Sequence, residues 1–452
     1  MEHALLKKIA TRSLRVAVIG LGYVGLPLTI TFAEAGFQVT GIDVDTQKVD
    51  QAKRGESYIP DISNSTLQAL IETERLHFTT DFTALADCDT VSICVPTPLR
   101  KTRDPDISYI LAATEQVRAH LHPGQLIVLE STTYPGTTRE VVLPELEASG
   151  LTVGVDFFLA FSPERIDPGN PNFGTRNTPK IVGGITKTCT ELAQAYYGTA
   201  IEQVVPVSSA SVAEMVKLLE NTFRAVNIGL VNEIAIICEK LHMNVWEVID
   251  AAATKPFGFM RFLPGPGLGG HCIPVDPQYL SWKLKTLDYT ARFIELAAEV
   301  NSSMPHYVVD KISEALNEQR RSFNGATVLV LGVAYKRNVR DVRESPALDI
   351  IQALLARKAV VLYNDEYVPS LTLSRGRDTS GHGNSGTSPY EGREQTLNSQ
   401  PVSSGLLQAA DCVVIVTDHG YYDVPWIIEE ARCIVDTRNM TRGCDDKKIY
   451  RL

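Results

Sequence analysis

A glycine-rich stretch, Pro264-Gly-Pro-Gly-Leu-Gly-Gly-His-Cys272, ends in a single cysteine, and Ile273-Pro-Val-Asp276 follows. Glycine is costly to order, so four in six residues (Gly265, Gly267, Gly269, Gly270) point to a backbone approached closely by a ligand. A helical pattern runs on through Trp282. Cys272 is therefore expected near a helix N-terminus, whose field favours the thiolate that acts as a nucleophile. Asp276 lies one helical turn further on the same face. The other seven cysteines fit small buried apolar positions. Lys217 and Asn221 share a helix face at i, i+4 spacing, where a solvated surface is the simpler reading. Glu164 stands in the loop Ser162-Pro-Glu-Arg-Ile-Asp-Pro-Gly169, and the segment Glu130-Ser-Thr-Thr-Tyr-Pro135 has a similar setting. Both follow strands, at the ends where doubly wound sheets take ligands.

A second constellation lies near the start of the chain. Gly20-Leu-Gly22-Tyr-Val-Gly25 is a G-x-G-x-x-G motif placed after a β-branched run and opening a helical pattern. Such a turn lets a pyrophosphate approach the backbone and rest on the N-terminus of the helix. Asp43 ends the next strand 18 residues after Gly25. An acid there accepts from a ribose diol and repels a 2′-phosphate, which favours NAD over NADP. Lys48 follows on the next helix, within reach of ribose or phosphate.

The elements that must position these groups can be read from periodicity. Strands are expected at 15–20, 37–43, 90–95, 125–129 and 157–160, with helices between them, which implies βαβ crossovers and a parallel sheet. The segment 208–241 reads as one helix of about 30 residues, roughly 45 Å long. Ser211 and Glu214 have capping-box spacing at its start. Such a helix suits a hub between domains or a dimer surface. Helical patterns continue at 244–253 and 291–317. From 324 onward an α/β pattern returns, with strands at 327–331, 360–363, 412–416 and 433–436 and a helix at 346–358. Its first turn, Gly332-Val-Ala-Tyr-Lys336, lacks the triple glycine and suits a different nucleotide. The stretch 374–404 is rich in Gly, Ser, Thr, Asn and Arg and is expected to be a long flexible insertion. The expected domains are 1–207, a helical 208–322 carrying Cys272, and 323–452.

The 452 residues carry a formal net charge of −10, which argues against general nucleic-acid binding. No apolar run is long enough for a transmembrane helix, and the first residues lack a signal-peptide core. The cysteines show no C-x-x-C spacing, so neither a zinc site nor a disulfide framework is indicated. A cytoplasmic protein with reduced thiols is expected.

Six motifs occur in one order: GLGYVGLPL, ESTTYPGTT, SPERIDPG, KLLENTFRAVN, GPGLGGHCIPVDP and KRNVRDVRESPA. Together they resemble the UDP-glucose/GDP-mannose dehydrogenase family over nearly the whole chain, outside 374–404. The resemblance implies two Rossmann-like domains bridged by a long helix, commonly as a homodimer. It implies oxidation of a sugar C6 alcohol to a carboxylate with two NAD. In that scheme Cys272 is the nucleophile, Lys217 and Asn221 a helix pair at the substrate, and Glu164 the general base. Asp276 and Thr133 hold the water. The cofactor set becomes Gly20, Gly22, Tyr23, Val24, Gly25, Asp43, Lys48, Thr97, Thr133 and Arg343. The sugar-nucleotide set adds Arg165, Arg261, Gly265, Gly267, Gly269 and Lys336 to Glu164, Lys217 and Asn221. Val275 precedes Asp276 where some relatives carry a cofactor-touching lysine. The SPERIDPG and GPGLGGHCIPVDP loops most resemble those of enzymes acting on UDP-N-acetylglucosamine. UDP-N-acetylmannosamine and UDP-glucose stand as alternatives, and a non-catalytic nucleotide-sugar sensor as the reading of another class.

Overall fold

A computed structural model describes residues 1–59, 62–100, 104–167, 170, 172–270, 272–373 and 395–452. The chain divides into two compact units, 1–220 with 278–290 and 221–277 with 291–452. The segment 208–322 contributes to both.

The first unit is built on eight strands: β1 (Arg15–Ile19), β2 (Gln38–Ile42), β3 (Leu76–Thr79), β4 (Thr90–Ile93), β5 (Leu126–Leu129), β6 (Phe158–Phe161), β7 (Lys180–Gly184) and β8 (Val204–Pro206). Their order in the sheet is β3-β2-β1-β4-β5-β6-β7-β8. The chain reverses its winding direction between β1 and β4, and the crevice at that switch point is where open sheets take ligands. Period-two alternation splits the core in two. Val16 and Val18 point to one buried cluster, Ala17 and Ile19 to the other. The expected parallel sheet is interrupted once, because β7 runs antiparallel to β6. Among the described residues of the linker from 162 to 179 there is no crossover helix, and an antiparallel return does not need one.

The long helix is Ala210–Lys240. Its first turn corrects the expected capping box. Ser209, not Ser211, caps the end by accepting from the Val212 amide at 3.3 Å. Glu214 does not reach back to the cap. It is fully buried and accepts from Gly136 N, Thr138 N and Thr138 Oγ1 at 2.6–2.8 Å, tying the turn after β5 to the helix.

The second unit holds β9 (Thr327–Leu331), β10 (Val360–Asn364), β11 (Ser370–Leu373), β12 (Gln395–Asn398), β13 (Cys412–Ile415), β14 (Ile434–Asp436) and β15 (Ile449–Arg451). Five form a parallel sheet in the order β10-β9-β13-β14-β15. Strands β11 and β12 pair as an antiparallel hairpin. The insertion expected at 374–404 is thus corrected at its C-terminal end: 395–398 pair with β11, and Ser403 caps a short helix. The part at 374–394 lies outside the described residues. Among the described residues no helix is long and apolar enough to cross a membrane.

Candidate active site

In the first unit the glycine turn follows β1. Gly20 has φ +92, and a Cβ there would lie 2.5 Å from the Cys94 carbonyl oxygen. A Cβ on Gly25 would lie 1.7 Å from the Gly20 oxygen, so the first turn of the helix Gly25–Glu34 closes directly on the loop. Gly22 differs: nothing of the protein lies within 4 Å of its Cβ direction. Two glycines therefore serve the chain itself, and the middle one leaves room for a ligand. Val24 is the N-cap of this helix and makes no side-chain cap, so the end keeps free amide donors. Tyr23 is exposed beside it.

Asp43 is buried and holds the turn. Its carboxylate accepts from Leu21 N at 2.8 Å and from Asp45 N at 2.9 Å. Lys48 Nζ lies 4.0 Å from Asp43 and 3.8 Å from Asp45. A carboxylate has about four acceptor positions, so the Asp43 group retains capacity for a ribose diol. Tyr58 donates to the Leu21 carbonyl at 2.7 Å, and burial with the nearby Asp43 carboxylate pushes its phenol well up. The Thr97 carbonyl accepts from Tyr279 Oη at 2.7 Å. The chain's own groups thus fit a dinucleotide: an open middle glycine, an uncapped helix end and a ribose-side acid.

Thr133 lies in the turn after β5. It is buried and its hydroxyl pairs with that of Thr137 at 2.6 Å; Thr137 donates to the Tyr134 carbonyl, so the Thr133 oxygen keeps acceptor positions. Its neighbour Thr132 is half-buried and makes no side-chain hydrogen bond among the described residues. Sequence spacing alone does not separate adjacent threonines, because only the turn decides which hydroxyl faces inward.

Glu164 lies three residues beyond β6. Its Oε1 accepts from Arg165 N and Ile166 N at 2.6 and 2.7 Å, and its Oε2 lies 3.5 Å from Lys180 Nζ. Arg165 is committed to Glu220 at 2.6 Å and to the Pro179 carbonyl. Lys217 is buried and has no hydrogen-bond or ion-pair partner among the described residues of its unit. A buried, unneutralised ammonium is costly to hold without a counter-charge.

In the second unit Cys272 precedes the helix Asp276–Lys285 rather than lying within it. The Cys272 carbonyl accepts from Val275 N at 3.1 Å and Asp276 N at 2.7 Å, so the thiol sits on the turn that starts the helix. Asp276 is buried, and its Oδ2 accepts from Asn221 Nδ2 at 2.5 Å. Cys272 is half-buried, while six other cysteines are buried; Cys444, also half-buried, departs from the expected pattern.

The glycine loop before Cys272 is held by the protein. Asn232 accepts from Gly265 N at 2.9 Å and donates to Asn301, which donates to the Ala225 carbonyl. A Cβ on Gly265 would lie 2.7 Å from Arg438, and one on Gly269 2.6 Å from Tyr335. Gly270 donates to the Arg343 carbonyl at 3.0 Å. The glycines therefore satisfy close protein packing, a reason the composition did not reveal. The Arg343 guanidinium lies on Asp341 at 2.6 Å, and Lys336 is half-buried. Arg261 pairs with Asp250 through two nitrogens, at 2.6 and 3.2 Å, and so has a carboxylate partner of its own.

Three groups went unnoticed in the sequence. Lys180 and Tyr197 surround Glu130 in the first unit. Arg438, half-buried beside Gly265, donates Nε to the Val416 carbonyl at 2.8 Å, and desolvation of its guanidinium lowers its pKa. A charged residue opening an apolar strand, as in Lys-Ile-Val-Gly-Gly, was the available signal for Lys180.

Family models match three successive parts of the chain. They are the NAD binding domain of the UDP-glucose/GDP-mannose dehydrogenase family at 14–201, its central domain at 211–303 and its UDP binding domain at 329–443. The UDP-N-acetyl-D-mannosamine dehydrogenase of Methanococcus maripaludis is 34% identical over 90% of this chain and 87% of its own. The UDP-N-acetyl-D-glucosamine 6-dehydrogenase of Salmonella typhi is 37% identical over 75% of this chain and 79% of its own. The solved UDP-D-ManNAc dehydrogenase of Pyrococcus horikoshii superposes with a TM-score of 0.85 at 32% identity, over 97% of this chain and 99% of that one. With the glycine turn, the Cys272 turn and the Asn221–Asp276 pair in place, the chain belongs to the UDP-glucose/GDP-mannose dehydrogenase family and is an NAD-dependent nucleotide-sugar dehydrogenase.

Proposed function

We propose that the chain oxidises C6 of UDP-N-acetylglucosamine to the carboxylate, in two hydride transfers, through a thioester on Cys272. The observation that carries this reading is the Cys272 turn, which presents a half-buried thiol beside the buried Asp276–Asn221 pair. A plain alcohol dehydrogenase has no use for such a nucleophile. When bound, NAD supplies the hydride acceptor for both oxidations.

The residues divide the remaining work. The C6 hydroxyl proton passes to water, and Lys217 and Asn221 stabilise the developing alkoxide as the hydride leaves C6. Cys272 sulfur adds to the aldehyde carbon, and the carbonyl oxygen takes a proton, giving a thiohemiacetal. Loss of the second hydride, with the hydroxyl proton released to water, leaves the thioester. Glu164 accepts the proton of the attacking water, the C–S bond breaks, and the thiolate of Cys272 is regenerated. Asp276 and Thr133 position the water, the Thr133 oxygen through the acceptor positions that its bond to Thr137 leaves open. Lys336 and Arg438 suit the diphosphate of the UDP group.

UDP-N-acetylmannosamine is the second reading, supported by the relatives named for that sugar that span most of both chains. The test is a panel of UDP-N-acetylglucosamine, UDP-N-acetylmannosamine, UDP-glucose and GDP-mannose with NAD. Two NADH per UDP-N-acetylglucosamine and its uronic acid are expected. A much higher kcat/KM on another sugar overturns the choice of sugar, and no NADH with any of them favours the sensor.

We also propose a homodimer, supported by an apolar stripe on the long helix: Met215, Leu219, Phe223, Leu230 and Ile237 are 36–58% exposed and recur every four or seven residues. All eight cysteines are free thiols, which supports a cytoplasmic setting.

A further inference from the structure

Three neighbouring strands of the first unit deliver a buried charge cluster to one edge of the sheet. Glu130 follows the last residue of β5, Glu164 stands three residues past β6, and Lys180 opens β7. The antiparallel reversal is what brings them together. Phe161 pairs with Gly183. Continuing that register three residues along one strand and three back along the other sets Glu164 opposite Lys180. Had β7 run parallel, its first residue would lie at the far edge.

Lys180 Nζ lies 2.7 Å from Glu130 Oε2 and 3.5 Å from Glu164 Oε2, with its side chain 6% exposed. Glu130 is fully buried and accepts from Tyr197 Oη at 2.5 Å through its other oxygen. The ammonium also lies 5.1 Å from the centre of the Tyr197 ring. Burial alone would lower the Lys180 pKa, but Glu130 and Glu164 outweigh it and hold the ammonium charged. One cation thus serves two carboxylates. The inner one is sealed by Tyr197; the outer one is the group assigned above as the base.

We propose that Lys180 is a positioning residue for the hydrolytic half-reaction: it fixes the Oε2 oxygen of Glu164, while Glu130 and Tyr197 fix Lys180. This rests on the reading of Glu164 as general base. Two backbone amides already clamp Oε1, so Lys180 sets the remaining freedom of the carboxylate plane. A misplacement of about 1 Å in such a group can cost about a hundredfold in rate. The groups facing Glu164 are Lys180 from β7, Glu130 from the end of β5 and, on its own loop, Arg165, itself neutralised by Glu220. Buried Cys94 of the β4 edge lies in the same field, with its thiol pushed well up by burial and then by Glu130.

The test uses the full chain with NAD and whichever UDP-sugar of the panel is turned over. E164Q, K180M, K180R and E130Q are compared by intact mass of enzyme quenched in steady state and by the pH profile of kcat. E164Q is expected to carry a covalent sugar adduct as its main species. K180M should do the same, with kcat down by about a hundredfold and its acidic limb moved to higher pH. K180R should restore most of both. E130Q removes a like charge and should move the acidic limb the other way, a sign that a merely structural role would not give; it decides the matter if K180M does not fold. An E164Q enzyme without adduct overturns the base and the proposal with it. An adduct in E164Q together with unshifted profiles in K180M or E130Q overturns Lys180 alone.

Discussion

Among eight thiols, exposure sets two apart, and the chemistry proposed above falls on one of them, Cys272. Burial pushes Cys88 up to about 12, with Asp87 adding to it, and pushes Cys94 further. These thiols are protonated at neutral pH and shielded as well, so they are poor nucleophiles. Cys272 and Cys444 are the half-buried pair. Brief treatment with iodoacetamide at pH 7.5, followed by peptide mass mapping, should label Cys272 and Cys444 and spare Cys88 and Cys94. NAD with the product UDP-uronic acid should then protect Cys272 and leave Cys444 labelled. Equal labelling of Cys94 would remove the distinction by burial, and unprotected Cys272 would place it outside the substrate site. The sequence made Cys272 conspicuous through its glycines, for a reason that proves incomplete. Those glycines clear Arg438 and Tyr335, contacts made by residues far along the chain and therefore invisible to local composition. Spacing likewise does not tell Thr132 from Thr133, since a turn decides which hydroxyl points inward.

At the scale of elements, the glycine turn separates two uses of one residue type. A Cβ on Gly25 meets the Gly20 carbonyl, whereas one on Gly22 meets nothing of the protein. Gly25→Ala is therefore expected to lower the melting temperature and lose NAD binding together. Gly22→Ala should melt within about 2 °C of the parent, since exposed changes are usually within ±0.5 kcal/mol. It should still weaken NAD at least tenfold, because the methyl occupies the space a pyrophosphate needs. Calorimetric titration with NAD beside thermal melts checks both, and a Gly22→Ala protein with parental affinity would refute the placing of the pyrophosphate there. Strands β1, β2, β4, β5 and β6 were legible because short, largely apolar runs bounded by breakers announce buried strands. Strands β7 and β8 were not: β7 opens on a lysine and closes on two glycines, and β8 is two half-buried valines and an exposed proline. The part of the site that depends on them, the Glu130–Lys180–Glu164 cluster, was illegible for the same reason. Residues that no periodic pattern links are brought together only by the antiparallel return.

For the whole molecule, the apolar face of the long helix sets the remaining expectation. A chain with net charge −10 keeps scattered copies apart, so five large apolar residues on one helical face need a reason to stay exposed. Phe293 and Leu296, on the helix Arg292–Glu318, are 76% and 55% exposed and add to the apolar surface of the second unit. A second copy of the chain is the partner this surface suits, because a two-fold contact buries the same stripe twice and a stable interface needs roughly 1,200–2,000 Å². Light scattering should therefore give twice the chain mass of 49.6 kDa at micromolar concentration. Leu230 is the residue to change, being 53% exposed with no role in the core of its own chain. Leu230→Asp places a charge at the centre of the stripe on both copies at once, and unpaired like charges facing each other cost several kcal/mol. The variant should scatter as a monomer and keep its helical circular dichroism. A parent protein of monomeric mass would dismiss the dimer, and a dimeric Leu230→Asp protein would move the contact off this face of the helix.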